Sequence, residues 1–133
     1  MNYGFTKLQA YLVAEDLAHD IFEVTKHFPR NEDRSLTDQI RRSSRSVCSN
    51  LAEGYAKRRY PRHFISKLTD SLGESYETET WLRFARKCEY IDNDTYNRLH
   101  IKSESVTKLV LFMIRNPTKF EDKYVDNKPT RAR

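Results

Sequence analysis

Residues able to do chemistry are sparse in this chain, and their spacing narrows what that chemistry is. Four histidines, His19, His27, His63 and His100, are scattered, and Cys48 and Cys88 stand alone with no C-x-x-C pairing. Neither a disulfide framework nor a zinc site follows from such isolated cysteines, which read as small buried apolar residues. A di-iron centre in a helical protein needs inward carboxylates and a Glu-x-x-His on each of two helices. The nearest approach is the single pair Asp16 and His19, and Glu74 and Glu77 have arginines within reach as partners. No His-Glu-x-x-His, phosphate-cradling glycine loop or nucleophile-and-base constellation occurs. These patterns predict no catalysis, no metal and no cofactor.

The cations are more suggestive. The run "AKRRYPRHFISK" places Lys57, Arg58, Arg59, Arg62 and Lys67 around Tyr60. Cations clustered this way neutralise phosphates by releasing counterions. Tyr60 among them either offers a face to an unpaired base or packs over a helix turn. The net charge of +5, with pI near 9.2, suits a nucleic-acid partner or an acidic surface and also occurs in ordinary soluble proteins.

These side chains must be positioned by helices. The chain has 133 residues with only three glycines and four prolines, so long uninterrupted segments dominate. Leu8, Tyr11, Ala14, Leu17, Ile21, Val24 and Phe28 step by three and four along a first helix that Pro29 stops. Ser35 is the expected N-cap of a second helix, with Asp38 in its acidic first turn. Leu36, Ile40, Ser44, Val47, Leu51 and Tyr55 form its stripe. Pro61 suits the first turn of a third helix, whose inner face holds Phe64, Leu68, Ser71, Ser75, Thr78 and Leu82. Asp92 caps a fourth, carrying Tyr96, Leu99, Val106, Leu109, Val110, Met113 and Ile114 and ended by Asn116 and Pro117. Short connections between such helices predict an all-α, up-down-up-down antiparallel four-helix bundle. The expected organisation is a bundle domain over residues 1–116 and a polar, basic C-terminal tail over 117–133. The N-terminus lacks a signal-peptide pattern, and no apolar run approaches a membrane span, so a soluble cytoplasmic protein is expected.

This topology sorts charge by end. The connections near 28–35 and 89–94 share one end, and the basic turn Lys57–His63 shares the other with the tail cations Lys119, Lys123, Lys128, Arg131 and Arg133. On the second helix, Ser49, Ala52 and Ala56 face away from the core. Small residues there permit a subunit to approach closely, although helix propensity alone also explains the alanines. Arg42, Arg45, Asn50, Glu53, Glu74 and Glu77 are expected to form a polar network. In it Arg45 lies level with Glu74, Arg42 with Glu77 or Thr78, and Glu53 stands four residues before Lys57. Gly54 falls on the core side, where it admits a bulky neighbour or loosens the helix end.

The run "QIRRSSRSVCSNLAEGYAKR", followed by "SLGESYETETWLRFA", resembles the four-helix-bundle proteins encoded within intervening sequences of bacterial 23S ribosomal RNA genes. Its most specific part is Arg41, Arg42, Ser46, Val47, Asn50, Leu51, Ala52, Glu53 and Gly54. The resemblance implies a homopentamer, as in the related accessory proteins of diversity-generating retroelements, and no enzymatic activity. It implies a link to ribosomal RNA or the ribosome. The alternative, an interaction scaffold whose partner is a protein such as a polymerase or ribosomal component, draws on the small-residue face and the uneven charge. Ser43 and Ser44 stand where the family usually has alanine, which makes the core layer more polar, and the basic turn and tail are also departures.

Overall fold

A computed structural model describes residues 4–121 of the chain. It holds four α-helices: α1 (Gln9–Thr25), α2 (Leu36–Ala56), α3 (Pro61–Lys87) and α4 (Asn93–Arg115). Short 3-10 turns cover Gly4–Lys7, Arg30–Glu32 and Pro117–Phe120, and there is no strand among the described residues. Each helix packs on the next in sequence and α4 returns to α1, so the bundle closes up-down-up-down.

The apolar stripes meet in one core. Ala14, Leu17 and Ile21 of α1, Ile40, Val47 and Leu51 of α2, Phe64, Leu68 and Leu82 of α3, and Leu99, Val106 and Val110 of α4 are buried together. The helices are unequal: α1 has 17 residues and α3 has 27. The turn Gly4–Lys7 extends the short helix at its start and packs against α1 and α2.

Hydroxyls line much of the α2–α3 seam. Ser71 Oγ donates to the Val47 carbonyl across the two helices at 2.9 Å. Thr78 Oγ1 lies 2.9 Å from both Ser43 Oγ and the Glu74 carbonyl. Such bonds satisfy buried polar atoms that would otherwise cost about 1–3 kcal/mol each. Small side chains also let the backbones approach, and Gly54 shows how closely. A Cβ there would stand 3.2 Å from Lys67 Cβ and 3.7 Å from Phe64, so Gly54 admits α3.

Ser35 is the N-cap residue of α2 as expected, but its side chain does another job. Ser35 makes no side-chain cap bond; instead its hydroxyl donates to Glu32 Oε1, which also accepts from the Leu36 N–H at 3.2 Å. Tyr90 O–H donates to the other Glu32 oxygen at 2.7 Å, joining the two connections at this end. Those bonds, from Ser35 first and then Tyr90 and Leu36, hold the Glu32 carboxyl below its usual range. Asp92 does cap α4, accepting from the Thr95 N–H at 2.8 Å. The end of α3 is closed by Glu89 in the left-handed region (φ 61°), with the Tyr90 N–H on the Ala85 carbonyl and the Glu89 N–H on that of Arg86.

Polar pairs seal two further grooves, α1–α4 and α3–α4. Lys102 of α4 reaches Asp16 at 2.6 Å and Asp20 of α1, and the hydrogen bonds to these carboxylates hold its ammonium above the usual lysine range. Between α3 and α4, Glu79 accepts from Tyr96 O–H at 2.7 Å and lies 3.0 Å from His100 Nδ1. Asp16, placed by the sequence beside His19, is thereby committed to an ion pair. No group of His, Cys, Asp and Glu among the described residues is arranged to hold a metal ion, and no described helix is long and apolar enough to cross a membrane.

Candidate nucleic-acid interface

The candidate site is the turn between α2 and α3. Lys57 ends α2, the Tyr60 N–H bonds the Lys57 carbonyl at 2.8 Å, and Pro61 opens α3 in its first turn. Pro61 loses nothing there, since a first-turn N–H has no partner inside the helix. The chain therefore reverses over three exposed or half-exposed residues.

The predicted cations divide into two groups. Lys57, Arg59 and Arg62 are exposed and have no side-chain partner among the described residues. Arg58 and Lys67 are tied to the fold. The Arg58 guanidinium lies 3.5 Å from the centroid of the Tyr55 ring, its Nε donates to the Tyr55 carbonyl at 2.8 Å, and it reaches the Phe120 carbonyl. Lys67 Nζ lies 3.4 Å from Glu53 and 3.5 Å from Asp70. Tyr60 is 54% exposed and meets the His63 ring edge to face at 6.1 Å.

Two segments close this end: the first turn of the chain, which sequence reasoning left aside, and the start of the expected tail. Gly4 fits beneath Tyr55, where a Cβ would come within 2.5 Å of the phenol oxygen. Pro117–Phe120 turns back so that Phe120 packs against the core and meets Phe112 edge to face at 6.2 Å. These turns bring the exposed Lys7 and Lys119 to the basic end, and Lys119 stands 5.2 Å over the Phe112 ring. The signal available was Phe120 itself, an apolar side chain in a polar run. The expected tail cations Lys123, Lys128, Arg131 and Arg133 lie outside the described residues.

The profile of the 23S rRNA-intervening sequence protein family matches residues 6–111. The chain belongs to this family. Among solved structures it is similar to a protein of unknown function from the S23 ribosomal protein family of Bacteroides thetaiotaomicron. The two share 27% identity and a TM-score of 0.73 over 80% of this chain and 95% of that one. No curated protein matches.

The run from Arg41 to Gly54, which lies within the matched residues, is mainly architectural in this member. Arg41 Nε donates to Thr25 Oγ1 at 2.8 Å, and the Arg41 and Arg45 guanidinium groups lie 4.7 and 5.6 Å from the Phe22 ring of α1. Arg45 thus turns toward α1 and not toward Glu74, because the rotation of α2 carries its side chain to the opposite groove. Arg42 is the cation whose charge acts on Glu74. It also forms no ion pair with Asp38 among the described residues. Glu53 pairs with Lys67 across the seam, not with Lys57 four residues on. Asn50 Nδ2 donates to the Ser46 carbonyl at 2.9 Å, and Glu77 accepts from the Trp81 indole at 3.2 Å. Asn50, Asp70, Gly73, Glu74 and Glu77 line an open groove of about 490 Å³. Burial, with Glu77 and Asp70 as further causes, raises the Glu74 carboxyl above its usual range, and Arg42 opposes them. Ser49 and Ala56 are exposed on α2, and Ala52 is half-buried.

Proposed function

We propose that the protein is a non-enzymatic, cytoplasmic homo-oligomer, a pentamer, that associates with ribosomal RNA or the ribosome through the basic end of its bundle. The observation that carries this reading is the separation of charges at that end. Lys57, Arg59 and Arg62 have no acidic partner among the described residues, whereas the neighbouring Lys67 is neutralised by Glu53 and Asp70. Exposed cations grouped at one turn with no acidic side chain on them suit a ligand bearing phosphates. The family's name, which refers to 23S ribosomal RNA, supports the choice of RNA.

Assembly is supported by what a monomer leaves exposed. Tyr76 and Phe84 of α3 and Ile101 and Phe112 of α4 are 45–67% exposed, alongside Ser49 and Ala56 on α2. Purification from the native cell with and without nuclease, followed by light scattering and identification of retained RNA, tests both parts. A pentamer carrying ribosomal RNA is expected. A monomer holding neither nucleic acid nor protein overturns the reading.

A second reading, an accessory or scaffold subunit with no nucleic-acid contact, draws on a different feature. A groove of about 370 Å³ at the opposite end is lined by Leu36, Gln39, Trp81, Phe84 and Cys88, with Arg34 and Glu32 among its polar groups. Phe84 is 51% exposed there, as a partner's side chain would require. Partner proteins that remain bound after nuclease treatment favour this alternative.

A further inference from the structure

The basic turn carries more than loose cations, and its geometry points to the form of nucleic acid it takes. We propose that the α2–α3 turn receives an unpaired nucleotide, with the base stacked on Tyr60 and an adjoining phosphate at the first turn of α3. This rests on the proposed nucleic-acid role of the basic end and adds selectivity for single strands over duplex.

Three independent features converge on the turn. The first is the Tyr60 ring, a large aromatic group more than half exposed at the tip of a connection. Its neighbour His63 stands at 89° to it, so the contact is edge to face and leaves the phenol ring without a parallel stacking partner among the described residues. The second feature is the flanking charge: Lys57, Arg59 and Arg62 are exposed within three residues of Tyr60 and lack side-chain partners among the described residues. The third is the start of α3. Tyr60 is its N-cap and makes no side-chain cap bond, and Pro61 follows. The N–H groups of Arg62 and His63 therefore point out of a 27-residue helix with no acceptor among the described residues, while that of Phe64 is taken by the Tyr60 carbonyl.

The chemistry of these parts matches one nucleotide. A base offers an apolar face of the size of the phenol ring, and stacking is tolerant of base identity because every base has such a face. The phosphate beside a stacked base then meets the two free N–H groups and the positive end of the α3 dipole, with Arg59 and Arg62 to either side. A duplex can satisfy the cations but not Tyr60, since its bases are stacked on each other and their faces are closed.

The test is fluorescence anisotropy with labelled single-stranded RNA, single-stranded DNA and duplex RNA of equal phosphate number, on the full chain and on Tyr60→Ala and Tyr60→Phe. The wild type is expected to bind single strands more tightly than duplex. Tyr60→Ala should lose about 5- to 100-fold on single strands and change little on duplex, and Tyr60→Phe should retain binding. Circular dichroism checks that the variants keep the helix content of the parent. Equal affinity for single strand and duplex, unchanged in Tyr60→Ala, overturns the stacking proposal and leaves the basic-end reading standing. Absence of binding to any of the three overturns both. A preference for RNA over DNA single strands is compatible with the proposal only if Tyr60→Ala weakens both.

Discussion

Lys67 Nζ lies 3.4 Å from Glu53 Oε1, a bridge from α3 to α2. This one pair decides how the basic cluster is divided. It takes Glu53 away from Lys57, its neighbour one turn along α2, and it removes Lys67 from the set of cations free to meet a phosphate. Position along the chain put Lys57 and Lys67 in one cluster; the packing of α2 on α3 separates them.

Charge reversal at the turn should follow that division. Lys57→Glu, Arg59→Glu and Arg62→Glu are each expected to weaken RNA binding and to lower the slope of log affinity against log salt by about 1. Lys67→Ala should leave the slope unchanged, because its ammonium is already neutralised. Anisotropy titrations across a range of salt concentrations measure both. An equal loss from Lys67→Ala would mean that its ion pairs open on binding.

The hydroxyl seam predicts non-additive mutations. Thr78 Oγ1 lies 2.9 Å from Ser43 Oγ, and each hydroxyl also has a backbone carbonyl within reach. Ser43→Ala and Thr78→Val should each cost about 1 kcal/mol in urea denaturation. The double variant should cost less than the sum, because an apolar pair leaves no buried hydroxyl short of a partner.

Glu89 gives a prediction of opposite sign. Its φ of 61° is unfavourable for a residue with a Cβ, and its side chain makes no contact that requires glutamate among the described residues. Glu89→Gly should therefore stabilise the protein by about 1 kcal/mol, read as a rise in the thermal midpoint. A fall would show that the Glu89 charge contributes more than its backbone costs.

Acidification should act through Glu32. Its folded carboxyl is held below the ordinary range by Ser35, Tyr90 and the Leu36 N–H. Stability from this group is fully present above the unfolded glutamate value, near about 4.3, and is lost as pH falls through the lower folded value. Urea midpoints of the parent and Glu32→Gln should differ at neutral pH and converge as the pH is lowered. A difference that stays constant with pH would assign the effect to shape and not to charge.

Much of the architecture was readable along the chain, because helix periodicity and capping are local. The stripes of Leu17 and Ile21, Val47 and Leu51, Leu68 and Leu82, and Val106 and Val110 are buried where their spacing put them. Pro61 opens α3, Asp92 caps α4 and Asn116 ends it. Even the polar core positions Ser71, Ser75 and Thr78 were marked by sharing a face with Phe64 and Leu68. Ser35 is the N-cap residue of α2, as its type and place indicate, but the Leu36 N–H goes to Glu32, through a turn that also brings in Tyr90.

The sequence by itself determined the number, order and inward faces of the helices, since each depends on residues within a few positions of one another. The tertiary structure alone decided which charges are spent inside the fold. Arg45 goes to Phe22, Arg58 to Tyr55 and Phe120, and Lys67 to Glu53 and Asp70, leaving Lys57, Arg59 and Arg62 exposed. The physical reason is reach. An ion pair or a ring contact forms over a few ångströms between separate elements, so it depends on how each helix is rotated and on how far its backbone stands from the next.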